Sequence, residues 1–332
     1  MKEMANKPLR WGVIGLGRIA EKFTQDLSKT SGSILGGVAS RDADRAAAFA
    51  AQHQLANCFG SYQALIDSDA IDAVYIATPH CFHFTWVKQC LLAGKPVLCE
   101  KPLTVNTVEC KQLIELAWQR QVFLMEALWT RYLPIYDQVM QWLASDEIGS
   151  IEGIQADIGF EFDKDPQGRH FNNQLAGGAL LDLGVYPIAV SQYLLGQDPI
   201  SFGANATIGD TDVDEMIEVE LNYPGGVVSK FFATFLTETN NELLIIGSKG
   251  RIRIHSLFFA ADTATLYNDD GESTVSKPLR AGGFEYEIDE AARCIEAGYL
   301  ESPAMKHADS LANMELMDSI RAEINLKYRF ED

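Results

Sequence analysis

The chain has 332 residues, enough for two domains, and 47% of them are hydrophobic, enough for a core in each. Its net charge of −19 is unevenly spread: residues 1–125 sum to +2 and residues 126–332 to −21. Such an acidic chain is a poor binder of nucleic acid, whose phosphates need bound cations, and its apolar runs are too short and too broken by charge to span a membrane.

The N-terminal stretch MKEMANKPLRWG carries no apolar segment before the first strand, so no signal peptide is expected. The cysteines are Cys58, Cys81, Cys90, Cys99, Cys110 and Cys294. None forms a CxxC pair, and His and Cys do not alternate at metal-ligand spacing. The reading is reduced thiols in a cytoplasmic protein, with no metal site.

LRWGVIGLGRIAEKFTQDL reads as strand, glycine turn and helix. GLGRIA, residues 15–20, has the GxGxxA form. Gly15 permits the tight turn and Gly17 a close approach to the backbone. The helix opening at Arg18 and Ile19 offers free N–H groups to a pyrophosphate. SILGGVASRD is a second strand. An NAD site usually ends this strand in an acidic residue for the ribose hydroxyls. Here Ser40 and Arg41 stand there instead, and a guanidinium suits a 2′-phosphate. NADP(H) is therefore expected over NAD(H), with Asp42, one residue late, left as a ribose ligand.

AVYIATP is a strand with no polar residue except Tyr75. Thr78 and Pro79 end it, beside the cofactor's expected course. His80 and His83 follow three residues apart, with no third ligand near for a metal. His83 reads either as a hydrogen-bonded residue at a helix start or as a cofactor contact. PVLCE is a strand that delivers Glu100, Lys101 and Pro102 at its end. Alternating strands and helices up to residue 125 predict a parallel, doubly wound sheet.

After residue 126 the pattern changes to one helix and then mostly strands. IEGIQADIGFEF, ISFGANATI, DEMIEVELNYP, GVVSKFFATF, NELLIIGS and GRIRIHS are the candidates. LNYPGGVVSK and GSKGRIRI read as hairpins. The fold class is α/β: an N-terminal Rossmann domain (1–125) and a C-terminal α+β domain (126–332) with a large, mainly antiparallel open sheet. Strands such as VVSKFFATF carry apolar residues on both faces, which favours a homodimer.

EKPLTVN after a Rossmann unit, with ATPHCFH before it and GGALLDLGVYPI and GSKGRIRI after it, resembles the glucose–fructose oxidoreductase and inositol dehydrogenase (Gfo/Idh/MocA) family. The likeness covers nearly the whole chain. EALWTRYLP and Tyr186 make it most similar to the dimeric dihydrodiol dehydrogenases and NADP-dependent D-xylose dehydrogenases. The resemblance implies that Lys101 works at the nicotinamide and the substrate hydroxyl, and that relatives pair through the open sheet face. It makes Asp182 a substrate or proton-network residue and Tyr186 an acid/base, where many members carry His. Tyr186 reads alternatively as an amphipathic core tyrosine. Glu100 either orients Lys101 or contacts ribose. Trp129, Arg131 and Arg169 are further substrate-side candidates, Arg131 equally a brace at the domain junction. Asp182 and Tyr186, four apart, share a face if they lie on an α-helix, though Pro187 marks a kink or a helix start.

The resemblance thus implies an NADP-dependent oxidoreductase acting on a neutral sugar or diol, an aldopyranose such as D-xylose or a trans-dihydrodiol. Two alternatives stay open: a redox-assisted, NAD-dependent glycosidase, and a non-catalytic NADP sensor.

Overall fold

Strand and helix alternate from Leu9 onward, as the periodicity predicts. The computed structural model describes residues 7–331; the expectation about a leader bears on residues 1–6, which lie outside the described residues. The first elements are β1 Leu9–Ile14, α1 Arg18–Leu27, β2 Ser33–Ala39, α2 Ala43–Gln52, β3 Cys58–Phe59 and α3 Tyr62–Ile66. They are followed by β4 Ala73–Ile76, α4 His83–Leu92, β5 Val97–Glu100, α5 Thr107–Arg120 and β6 Leu124–Ala127. The six strands pair in parallel in the order β3-β2-β1-β4-β5-β6. The order reverses between β1 and β4, the place where doubly wound sheets take ligands beyond their carboxyl ends. β4, β5 and β6 are buried along their whole length, which explains their unbroken apolar runs.

The chain continues with α6 Pro134–Ala144, β7 Ile151–Gly159, a π-helical turn Leu180–Gly184 and α7 Val185–Leu195. Strands β8 Ser201–Ile208, β9 Asp214–Asn222, β10 Val228–Thr234, β11 Leu243–Gly247, β12 Arg251–Ile254, β13 Thr263–Asn268 and β14 Gly271–Ser276 come next. With β7 they form an eight-stranded sheet, β14-β13-β12-β11-β7-β10-β9-β8, antiparallel except for the pair β7–β10. Both predicted hairpins are present, β9–β10 and β11–β12. The hairpin β13–β14 is an addition to the sequence reading.

One sheet face, carrying Ile154, Ile158, Ile217, Val219, Phe231, Ile245 and Ile252, is buried. The π turn packs over β7, β9 and β10 on this side. α7 is apolar all round and almost wholly buried, as a helix inside a core must be. Residues 173–195 have the length and composition of a membrane span, but 83% of that stretch is buried within the protein, the mark of a core helix. On the opposite sheet face Val228, Phe232, Leu244 and Ile246 are half-buried among exposed Gln155, Glu218 and Lys230. That face is more polar than the β10 sequence alone implies.

Two helices close the chain, α8 Phe284–Glu296 and α9 His307–Glu323. Among the described residues the first compact unit comprises 7–129 together with 280–311, and the second 130–279 with 312–331, where the sequence reading has two consecutive blocks meeting at 125/126. α8 returns to pack on α1 within the first unit, where Asp26 accepts the amides of Gly282 and Phe284 at 2.9 and 3.0 Å.

Candidate active site

The glycine turn follows directly from β1. Gly15 has φ +89°, a region that disfavours side chains, and a Cβ there would lie 2.6 Å from the Ala77 carbonyl. Only glycine lets the ends of β1 and β4 approach this closely. Gly17 precedes α1 without a side-chain cap, and nothing lies within 4 Å of where its Cβ would be. The first amides of α1, from Arg18 on, therefore face open space at a helix N-terminus. Thr78, at the end of β4, is buried with its Oγ1 unpartnered. An open anion cradle beside an unsatisfied hydroxyl fits a dinucleotide. Arg45, missed by the sequence reading, donates to the Leu16 carbonyl at 2.5 Å and fixes the turn from α2.

At the end of β2 the structure separates the candidates. Ser40 is buried and its Oγ accepts the Asp42 amide at 3.1 Å. Asp42 caps α2, accepting the amides of Asp44 and Arg45 at 3.0 and 3.1 Å. Both capping bonds fall on Asp42 Oδ1, and the residue is exposed. Arg41 is exposed, with its guanidinium 5.5 Å from the Phe82 ring centre.

Lys101 is buried at the carboxyl end of β5. The turn it opens is braced at several points. Glu126 on β6 accepts the Leu103 amide at 2.9 Å. His83 is fully buried, with Nδ1 2.8 Å from the Pro102 carbonyl and Nε2 2.8 Å from the Thr78 carbonyl. Burial pushes the His83 imidazole down to about 4, outweighing the two carbonyls that favour its charged form. Of the two readings of His83, these contacts support the hydrogen-bonded one: the ring lies between the loop after β4 and the lysine turn, and in its neutral form donates to one of the two carbonyls. His80 is buried edge-on to it, ring centres 5.7 Å apart, and Pro79 precedes the short helical turn that carries both.

Glu100 accepts a short hydrogen bond from the Tyr75 hydroxyl, and Tyr75 stacks on Phe23 at 3.7 Å. Burial, then the Glu100 charge, holds the Tyr75 phenol well above its ordinary range. Glu287 of α8 is also fully buried, and burial followed by Glu100 pushes its carboxyl well up. Glu100 is thus anchored on its core side, next in the chain to Lys101. Trp129, read as a substrate wall, is buried edge-on against Phe284, ring centres 4.8 Å apart, with Lys22 5.2 Å from its own. These contacts show Trp129 packing within the first unit. Among the described residues no group of three or more His, Cys, Asp or Glu is arranged to hold a metal.

The second unit pairs Arg169 with Asp182 and carries Tyr186. Arg169 donates to both oxygens of buried Asp182, at 3.1 and 3.2 Å. His170, missed in the sequence, places Nε2 3.7 Å from Asp182 Oδ2 and stacks its ring on Phe162 at 4.1 Å. Tyr186 is buried and stacks on Phe259 at 4.8 Å. Asp182 lies in the π turn and Tyr186 in the first turn of α7, so the helix changes type between them. Pro187 also stands in the first turn of α7, which fits the helix-start alternative, since a missing N–H is tolerated there. Arg131 is buried, 5.0 Å from the Tyr193 ring centre, which makes it a brace within the second unit.

A family model described as an oxidoreductase family with an NAD-binding Rossmann fold matches residues 9–128. A second, described as the GFO/IDH/MocA C-terminal domain, matches residues 136–253. The chain is 33% identical to a trans-1,2-dihydrobenzene-1,2-diol dehydrogenase of Danio rerio, over 96% of this chain and 98% of that one. It is 34% identical to the enzyme of that name from Mus musculus, with the same coverage. A 3-ketoreductase from Actinomadura kijaniata, solved with NADP and TDP-benzene, superposes with a TM-score of 0.87 at 29% identity, over 96% of this chain and 98% of that one. An aldose-aldose oxidoreductase from Caulobacter crescentus shares the fold with a TM-score of 0.88 at 21% identity, over 96% of this chain and 98% of that one.

Proposed function

Because the chain belongs to the Gfo/Idh/MocA oxidoreductase family, we propose that it is an NADP(H)-dependent dehydrogenase or reductase acting on a ring hydroxyl or carbonyl of a small neutral cyclic polyol. The substrate classes are an aldopyranose such as D-xylose and a trans-dihydrodiol. The observation that carries this is Lys101, held at the carboxyl end of β5 in a sheet whose switch point bears an open, uncapped glycine turn. The names of the dihydrodiol dehydrogenase relatives and of the NADP-bound 3-ketoreductase support the same chemistry.

When bound, NADP(H) supplies or accepts the hydride. Gly15, Gly17 and the amides from Arg18 and Ile19 bind the pyrophosphate. Arg41 and Ser40 meet the 2′-phosphate end, and Thr78, Pro79 and His80 border the nicotinamide side. Lys101 and Tyr186 handle the hydroxyl proton. A phenol is a poor base at its usual pKa of roughly 10. Asp182, fixed by Arg169, orients the substrate hydroxyls.

We further propose a homodimer formed through the open sheet face, supported by half-buried Phe232, Leu244 and Ile246 on that face. A cytoplasmic location suits buried thiols such as Cys90 and Cys99, which form no disulfide.

A panel of aldoses, polyols, trans-dihydrodiols and keto-sugars, followed at the NADPH absorbance band, tests the proposal. It expects turnover of at least one cyclic member with NADP(H). Silence across the panel in protein that binds NADPH would sink the catalytic reading. Release of free sugar from a glycoside, with NAD retained through purification, would replace it by redox-assisted hydrolysis.

A further inference from the structure

The geometry points to Asp214 as a positioning residue: its buried carboxylate holds the first turn of the helix on which Asp182 and Tyr186 stand. This rests on the reading of those two residues as the substrate-side pair.

Asp214 opens β9 and is fully buried. The π turn has no side-chain cap from its own preceding residues. Its orphan amides are met instead from 34 residues further along the chain, where Asp214 Oδ2 accepts the Leu180 N–H at 2.6 Å. The amides of Ala179 and of Asp214 itself also favour the charged form. Gly178 shows how tightly the loop presses on this carboxylate. Its φ is +119°, and a Cβ there would lie 2.0 Å from Asp214 Oδ1. The chain end clamps the same loop from behind. The Tyr328 hydroxyl donates to the Gly177 carbonyl at 2.9 Å. The Asn173 amide donates to the Asp212 and Lys327 carbonyls at 2.7 and 3.0 Å and accepts the Arg329 N–H at 2.8 Å.

The charged and titratable groups around Asp214 are Arg321 of α9 and the Tyr328 phenol. Arg321 is itself paired with Glu331 and Asp318. Burial outweighs the amides and Arg321, and pushes the Asp214 carboxyl up to about 7. Protonation removes the charge that strengthens the Leu180 hydrogen bond, so the anchor weakens as pH falls through that value. A misplacement of about 1 Å at a catalytic group costs roughly a hundredfold in rate.

Asp214→Asn is the test, read by amide hydrogen exchange over residues 179–186 and by NADP+ reduction with trans-1,2-dihydrobenzene-1,2-diol or D-xylose. The expected result is faster exchange in that segment, kcat lower by roughly a hundredfold, unchanged NADPH binding, and loss of a rise in kcat through pH about 7. Equal protection in variant and native protein overturns the inference, as does lost protection with kcat unchanged. Asp182→Asn and Tyr186→Phe separate it from the reading beneath. If both keep native kcat, that reading falls and takes the catalytic half of the inference with it; if both are slow and Asp214→Asn is not, the positioning role alone falls. Should Asp214→Asn fail to fold, the native chain decides. Its exchange in this segment, corrected for intrinsic rate, must quicken below pH 7, and a flat profile overturns the inference.

Discussion

Arg41 and Asp42 stand side by side just after β2, and they differ in what holds them. Asp42 Oδ1 accepts two amides of α2, whereas Arg41 projects to solvent beside Phe82. A charged hydrogen bond contributes roughly 1.5–3 kcal/mol, so Arg41→Asp should weaken NADPH binding about tenfold to a hundredfold and favour NADH. Equilibrium titration of both cofactors by fluorescence checks this; an unchanged ratio of affinities would remove Arg41 from the 2′-phosphate. The reading proposed for Arg41 was open to sequence because the motif that calls for an acidic residue there is contiguous. Asp42 was half legible: aspartate before a helix is a standard cap, but the same residue also suited a ribose, and only the observed hydrogen bonds show the cap. Arg45 and His170 were not legible, because each acts on a residue whose neighbourhood exists only after folding.

The elements that carry these side chains are held by caps and braces whose loss is measurable. Replacing an N-cap acid by alanine costs about 0.5–2 kcal/mol. Asp42→Ala should lower the urea midpoint accordingly and leave cofactor preference untouched; a switch in preference would give it the ribose role as well. His83 braces the β5 turn as a neutral imidazole. Its folded pKa of about 4 lies below the unfolded value of 6.5, so the unfolded chain takes up the proton first as pH falls. Its contribution is fully present above pH about 6.5 and is lost toward pH 4, of order 3 kcal/mol at most. Asp214, with its pKa raised to about 7, acts with the opposite sign over much of that window. The check is therefore differential: the urea midpoint should fall more between pH 7 and pH 4.5 in the native chain than in His83→Gln, and equal slopes would contradict the brace. Strand and helix periodicity revealed nearly every element, because each buries a regular face. The hairpin β13–β14 was overlooked although Asp269, Asp270 and Gly271 mark its turn, since the β14 residues GESTVS are polar and mostly exposed and show no buried face. The π turn left no periodic signal, and Pro187 marked only the start of α7 that follows it.

At the scale of the whole chain, the residues missed by the sequence reading come from distant segments. Glu287 acts on Glu100 because residues 280–311 return to the first unit, and Asp214 caps a helical turn 34 residues earlier, with α7 and β8 between. Local pattern carries no information on such returns, so a division into two consecutive blocks was the natural reading. The open face of the large sheet yields a prediction at this scale. Light scattering at micromolar protein should give the mass of a dimer, and Phe232→Glu should give a monomer; a monomeric native chain would contradict the pairing. The central claim is that Lys101 and Tyr186 serve one proton transfer coupled to hydride movement. Positioned proton transfer contributes about a hundredfold to ten-thousandfold. Groups that act as a unit are strongly non-additive. The most direct measurement is a double-mutant cycle on kcat with Lys101→Met and Tyr186→Phe, with NADPH affinity measured alongside. The account predicts a loss in that range for each single variant, little further loss in the double, and nearly native NADPH binding throughout; full kcat in Lys101→Met, or losses that multiply in the double variant, would contradict it.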